Sequence, residues 1–186
     1  MLVWPAAPGL AQPAHRATAS AVAKADTGLE LTRQERLDMM ANLRAEADRR
    51  AALTGVGSVC YNVHVQNIYG WLGPYCDGKI AGTTGQNRQL EAMMVSGSGG
   101  NVCYEAHVQG YGWMGDVCDG DIAGTYGENR QMEAFTVTAW YYKICYEAHV
   151  QNLGWQGQRC DGQIAGTTGQ NRQIEAITID MKDPKF

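Results

Sequence analysis

ICYEAHVQNLGWQGQRCDGQIAGTTGQNRQIEAITI, running from Ile144 to Ile179, occurs twice more upstream with small changes. VCYEAHVQGYGWMGDVCDGDIAGTYGENRQMEAFTV spans Val102 to Val137, and VCYNVHVQNIYGWLGPYCDGKIAGTTGQNRQLEAMMV spans Val59 to Val95. Trp71, Trp113 and Trp155 lie 42 residues apart, and Cys76, Cys118 and Cys160 keep the same step. One extra residue near Ile68-Tyr69 is the only length change inside a copy. A fixed period of this size marks one supersecondary unit repeated, so the repeat decides the fold before any single element does.

Within a copy the periods are those of strands. Tyr61, Val63 and Val65 alternate with Asn62, His64 and Gln66, which reads as a strand apolar on one face. Ile174, Ala176 and Thr178 alternate with Glu175, Ile177 and Ile179 in the closing segment, apolar on both faces near its end. Between them come Asp-Gly (Asp77-Gly78, Asp119-Gly120, Asp161-Gly162) and glycines flanking threonines, as in Gly82-Thr83-Thr84-Gly85. Both are turn chemistry, because glycine accepts a positive φ without a Cβ clash. Each copy therefore offers about four short strands. A unit of about 42 residues cannot bury a face alone, so three should close around a pseudo-threefold axis. The expectation is an all-β domain, a β-trefoil first and a β-prism as the alternative. A propeller fits less well, since blades usually number four or more.

The six cysteines, Cys60, Cys76, Cys103, Cys118, Cys145 and Cys160, fall into near-regular pairs. An even count with that spacing reads as a disulfide framework formed in an oxidising compartment. Zinc sites use close pairs such as C-x-x-C, whereas the gaps here are at least 15 residues, so no metal or cofactor is expected. Threefold repetition leaves two natural pairings. Each copy closes on itself, or each second cysteine joins the first of the next copy. The Asp-Gly turn after each second cysteine favours the first, by returning a strand beside the opening one. Charged residues are 18% and the net charge is −4, which gives no footprint for nucleic acid or an anionic membrane. No apolar run reaches the ~20 residues that span a bilayer.

Upstream, residues 1–25 are rich in Ala and Pro and open on Leu2, Val3 and Trp4, which we read as an export leader without a basic start. Residues 26–56 form an arm, and residues 57–181 the three-repeat β domain (59–95, 102–137, 144–179). In the arm, Thr32 and Glu35 make a capping box and no Gly or Pro follows for twenty residues, so Arg33 to Leu53 is a helix ended by Gly55. Leu37, Met40, Ala41, Ala47 and Ala51 make only a thin apolar stripe. That suits a docking helix or stalk, or a helix capping one end of the β domain.

Taken together, Tyr146, His149-Val150-Gln151-Asn152, Gly154-Trp155, Asp161-Gly162, Ala165-Gly166-Thr167-Thr168-Gly169, Arg172 and Glu175-Ala176-Ile177 resemble the clostridial hydrophobic repeat with conserved tryptophan. The resemblance covers all three copies. It implies a secreted or surface protein of a Gram-positive bacterium, and a module that binds carbohydrate or protein surfaces. The paired cysteines depart from the usual repeat. So do Gly110, Tyr126 and Glu128, where the other copies have Asn, Thr and Gln.

The candidate ligand-binding residues come in threes. Trp71, Trp113 and Trp155 either hold the apolar face of a sugar ring or pack as core between copies. His64, His107 and His149 share a strand face with Gln66, Gln109 and Gln151. Beside Asp77, Asp119 and Asp161 they can orient hydroxyls, or they can satisfy backbone groups at a turn. Arg88, Arg130 and Arg172 precede Glu91, Glu133 and Glu175 by three, which points to an internal ion pair or carbonyl capture. A hydrolase needs one asymmetric pair of carboxylates, and threefold equivalence suits an active site poorly, so no enzyme is expected. Two functions follow. The chain is a secreted module recognising cell-surface or extracellular carbohydrate through three sites, or a secreted adaptor docking a partner protein through its helix or leader.

Overall fold

The computed structural model describes residues 31–68 and 70–185. The expected leader, residues 1–25, lies outside them. Helix α1 (Arg33–Thr54) comes first. The first copy forms β1 (Val59–Val65), β2 (Trp71–Cys76), β3 (Ala81–Gly82) and β4 (Leu90–Gly97). The second forms β5 (Val102–Val108), β6 (Gly112–Trp113), β7 (Val117–Cys118), β8 (Ala123–Gly124) and β9 (Met132–Ala139). The third forms β10 (Tyr142–Val150), β11 (Gly154–Trp155), β12 (Arg159–Cys160), β13 (Ala165–Gly166) and β14 (Ile174–Pro184). In copies two and three the segment matching β2 is split in two.

Each copy centres one antiparallel sheet on its opening strand, with the closing strand on one side and the Trp-to-Cys segment on the other. The fourth strand of each sheet is borrowed. β8 of copy two pairs with β4, β13 of copy three pairs with β9, and β3 of copy one pairs with β14. That last pairing closes the ring of three. It also explains the Ala-Gly of every copy. A Cβ on Gly82, Gly124 or Gly166 would lie 2.4, 2.3 or 2.3 Å from the carbonyl oxygen of Glu175, Glu91 or Glu133, so only glycine lets one copy approach the next.

The turns follow the sequence. Asp77 and Gly78 have φ of 51° and 77°, and Lys79 N–H donates to the Cys76 carbonyl at 3.3 Å, a type I′ turn. Cys76 faces Cys60 because β1 and β2 run antiparallel, and the Asp-Gly turn that follows leads on to β3, which joins the third sheet rather than returning beside β1. The bridges are Cys60–Cys76, Cys103–Cys118 and Cys145–Cys160, each within its own copy. Such bonds form and persist in an oxidising compartment.

The inner faces of the three sheets meet in a common core. Tyr61, Val63, Leu90, Met93, Tyr104, Phe135, Tyr146 and Ile177 are among its fully buried members. Each tyrosine hydroxyl donates to a backbone carbonyl of its own copy, that of Lys79, Asp121 or Gln163.

In every copy the closing strand carries a β-bulge. Val65 faces Leu90 while His64 faces Ala92, leaving Glu91 as the extra residue. Glu133 and Glu175 hold the same place opposite β5 and β10. The closing strand was expected to alternate simply. The bulge instead keeps Leu90 and Met93 both inward and turns the intervening glutamate outward.

The capping box is present: Thr32 Oγ1 accepts from Glu35 N–H at 3.2 Å, and Glu35 Oε2 accepts from Thr32 N–H at 2.7 Å. Gly55, at φ 72°, ends the helix. Of the expected stripe, Ala47 is buried and Met40 packs beside it, whereas Leu37 and Ala41 face solvent and Leu43, outside that stripe, joins Ala47 as an anchor. They seat α1 on the outer face of the first sheet, against Met94 and the Cys60–Cys76 bridge. Met94 supplies the reason, because the corresponding outward residues of the other copies are Thr136 and Thr178. Of the three copies, the first alone carries an apolar residue at this position.

Candidate functional site

The side chain of His64 on β1 and that of Gln66, the residue just after its end, follow one another on the outer face. The bulge places the Glu91 carboxylate beside the His64 ring, with Nδ1 donating to Oε2 at 3.1 Å. Nδ1 carries the proton, since an ionised carboxylate only accepts. Gln89, two residues before Glu91, donates to its Oε1 at 3.0 Å. Gln66 and Gln89 both also donate to Asn129 Oδ1, which belongs to the second copy. Asn129 sits at φ 54°, a left-handed conformation that asparagine tolerates and that aims its short side chain back at the preceding copy.

The same set recurs twice. His107 and Glu133 stand with Gln109, Gln131 and Asn171, whose Oδ1 accepts at 2.7 and 3.0 Å. His149 and Glu175 stand with Gln151, Gln173 and Asn87, with 2.6 and 3.3 Å to its Oδ1. In these two copies Nδ1 is 3.2 Å from the carboxylate but off line for a hydrogen bond. We take the pairing as the same one, loosened. Clefts of about 570 and about 530 Å³ open over the first and third sets. Each is lined by His, Gln, Asn and Glu of one copy and by Gly and Asn of the next.

Beside each histidine lies the tryptophan of its copy, ring edge to ring, with centroids 5.6, 5.3 and 5.4 Å apart. Trp113 and Trp155 are each 37% exposed and do not pack as core. Trp71 is more covered, lying against the Leu43 and Ala47 side of α1 and 6.1 Å from the Tyr126 ring. Nearly buried carboxylates with amide and imidazole donors make a floor that accepts and donates without carrying a lysine or arginine. Arg88, Arg130 and Arg172 are spent on carbonyls instead: Asn67 at 2.9 Å, Gln109 at 3.0 Å and Gln151 at 3.2 Å. Of the two roles expected for these arginines, carbonyl capture is found in all three copies, and Arg130 alone adds an ion pair, with Glu128 at 3.3 Å rather than with Glu133.

His, Gln and Trp of the expected set are thus brought together, and the three Asp are not. Asp77 accepts from Val59 N–H at 3.0 Å and Ser58 Oγ at 2.8 Å, and pairs with Arg50 at 2.7 Å. Asp119 and Asp161 likewise accept from Val102 and Ile144 N–H. They hold the start of each opening strand, five residues or roughly 17 Å from the histidine. The type I′ turn that favours Asp fixes it at the cysteine end, so the carboxylate at the cleft is the bulged glutamate. Glu91, Glu133, Glu175, the partner Gln89, Gln131, Gln173 and the borrowed Asn87, Asn129, Asn171 were not expected as site residues. Their repetition in Asn-Arg-Gln-x-Glu was the available signal.

Among the described residues no group of His, Cys, Asp and Glu is arranged to hold a metal, and no helix is long and apolar enough to cross a membrane. The chain matches no curated protein and no solved structure. The family model described as clostridial hydrophobic W matches residues 64–97, 107–138 and 149–183, more than half of the sequence. The matched segments begin at the three histidines and contain every residue of the three His–Glu–Gln–Asn sets, while the first cysteine of each pair precedes them. This chain belongs to the clostridial hydrophobic W family, in three copies.

Proposed function

We propose that the chain is a secreted, non-catalytic binding module that recognises cell-surface or extracellular carbohydrate through three repeated sites. What carries the reading is the recurrence of one constellation. A His–Glu–Gln–Asn floor able to donate and accept lies beside a tryptophan ring, half exposed in two of three copies. Sugar hydroxyls need that mixture, and a sugar's apolar face needs the ring. Three equivalent shallow sites on one rigid body favour a polymeric ligand, because weak contacts multiply through avidity. The disulfides support an extracellular setting. The adaptor reading is the weaker, since Leu43, Ala47, Met39 and Met40 of α1 are already seated on the first sheet and only Leu37 and Leu53 of its large apolar residues stand exposed. The architecture itself we read as prism-like rather than trefoil. Three separate sheets, each completed by a strand from another copy, support the prism.

A glycan array probed with the full chain tests the function. Binding to a related set of polymeric glycans, lost when His107 and His149 are both changed to Ala, is expected. Silence across the array, with capture of a partner protein that survives those changes, would overturn it.

A further inference from the structure

We infer that the outer face of the second sheet is a seat for a helix of a partner protein, amphipathic and basic, docked as α1 is docked on the first sheet. The inference does not rest on the carbohydrate reading. It adds a protein-binding surface beside the sugar sites.

The first copy shows what such a face takes. Met39, Met40, Leu43 and Ala47 of α1 pack against Trp71, Ile122, Met94 and the Cys60–Cys76 bridge. Anchors three to four residues apart are how a helix fills a groove. Arginines fix its two ends, Arg50 on Asp77 at 2.7 Å and Arg36 on Asp121 at 3.5 Å. No residue of α1 lines the cleft over His64, so a helix in this seat leaves the neighbouring cleft open.

The repeat builds the same face in the second copy, where no helix of the described residues lies on it. Trp113 and Ile164 occupy the places of Trp71 and Ile122, and they are 37% and 49% exposed. In the first copy α1 also crosses residues 97–101, with the Gly99 N–H donating to Asp48 at 3.0 Å and Gly100 beside Arg44. The matching residues of the second copy, 139–143, carry Trp140 and Tyr141, 69% and 57% exposed. Large apolar side chains gathered in this way mark a contact surface. The third copy has Lys182-Asp183-Pro184-Lys185 at that place, which singles out the second sheet.

Charge names the character of the helix. Thr136 replaces Met94 on the floor of the seat, so apolar contact is shallower and charge carries more of the fit. Asp77 pairs with Arg50 and Asp161 with Lys185, whereas Asp119 forms no ion pair among the described residues. Glu105 accepts from the Gly115 N–H at 2.7 Å, which sets it beside Asp116. The first copy has the uncharged Asn62 and Pro74 at those two positions. A helix with basic flanks and a basic residue near its C-terminal end complements this rim.

The probe is a synthetic peptide of residues 33–54, the sequence of α1, carrying Glu46→Lys and Asp48→Lys. It is titrated into the isotope-labelled full chain, with NMR shifts to locate it and calorimetry for affinity. Shifts at the Trp113 and Trp140 indoles and at Ile164 are expected. Affinity should fall roughly tenfold or more in Ile164→Asp and in Trp140→Ala. It should rise roughly fivefold in Thr136→Met, which restores the apolar floor. Ile80→Asp, on the third sheet, should leave it unchanged, and the peptide with Leu43→Asp should not bind. Absence of binding, shifts confined to Met94 and Ile122 at the seat of α1, or self-association of the parent chain that buries Trp140 would each overturn the inference. So would movement of Ile164 and Trp140 by soluble oligosaccharides of glucose or N-acetylglucosamine, since the face would then belong to the sugar sites. A silent glycan array bears on the carbohydrate reading alone, so the two fail separately.

Discussion

Tyr61, Tyr104 and Tyr146 occupy equivalent points on the three opening strands, with rings buried and hydroxyls donating to carbonyls. Burial pushes all three phenols above the ordinary tyrosine range. The unfolded chain then releases these protons near pH ~10 while the folded chain keeps them. Stability from this source is complete below about pH 10 and falls as pH rises above it, by up to about 1.4 kcal/mol per pH unit for a fully shifted phenol. An alkaline titration of phenolate absorbance should show three of the nine tyrosines ionising only as the β signal disappears. One smooth titration of all nine would mean that the rings are not held this way. Trp155, 37% exposed, belongs to the surface, so Trp155→Ala should cost under about 1.5 kcal/mol of stability while weakening polymer binding. Unfolding of that variant would return the tryptophan to the core. At this scale strand alternation made His64 and Gln66 legible as one face. It hid Glu91, because a bulge breaks the alternation at that residue and no propensity announces it.

Among the elements, the two-residue Ala-Gly strands are the joints between copies, and they work by close backbone approach. Gly166→Ala places a Cβ 2.3 Å from the Glu133 carbonyl oxygen, at φ 99°. Neither backbone can yield without losing the β13–β9 ladder, so a loss of about 2–4 kcal/mol is expected. Gly169→Ala is the contrast, with φ 70° and nothing within 4 Å, and should cost only about 1 kcal/mol from backbone strain. Urea midpoints of the two variants measure the difference, and equal midpoints would remove the close-approach argument. In the sequence Gly82 read as part of the turn Gly82-Thr83-Thr84-Gly85, and a two-residue Ala-Gly strand is too short to show a period; its partner lies in another copy, beyond any local pattern. The same limit explains α1. Its capping box is local and was read directly, whereas its buried face depends on Met94, more than forty residues away in the chain.

The molecule as a whole is a ring, and its closure follows from the borrowed strands. β3 of the first copy completes the sheet of the third through Ala81–Ile177 and Gly82–Ala176. Asn87 likewise completes the cleft of His149, and Ile179 N–H donates to the Tyr61 hydroxyl at 3.1 Å. The copies are therefore legible one by one in the sequence but do not stand one by one in the structure. A chain ending at Ala139 would leave β3 without its partner strand and β9 paired on one side only, open the inner faces of two sheets, and keep one complete His–Glu–Gln–Asn set of three, that of His64. Each sheet buries its apolar face only against the other two, so two copies have no core to close. The truncated chain should show no cooperative thermal transition as a monomer. If it recovers one, the recovery should depend on concentration, as fragments lend one another the missing copy. Circular dichroism melts paired with sedimentation decide the matter, and a folded, cooperative two-copy monomer would show that each sheet supports itself.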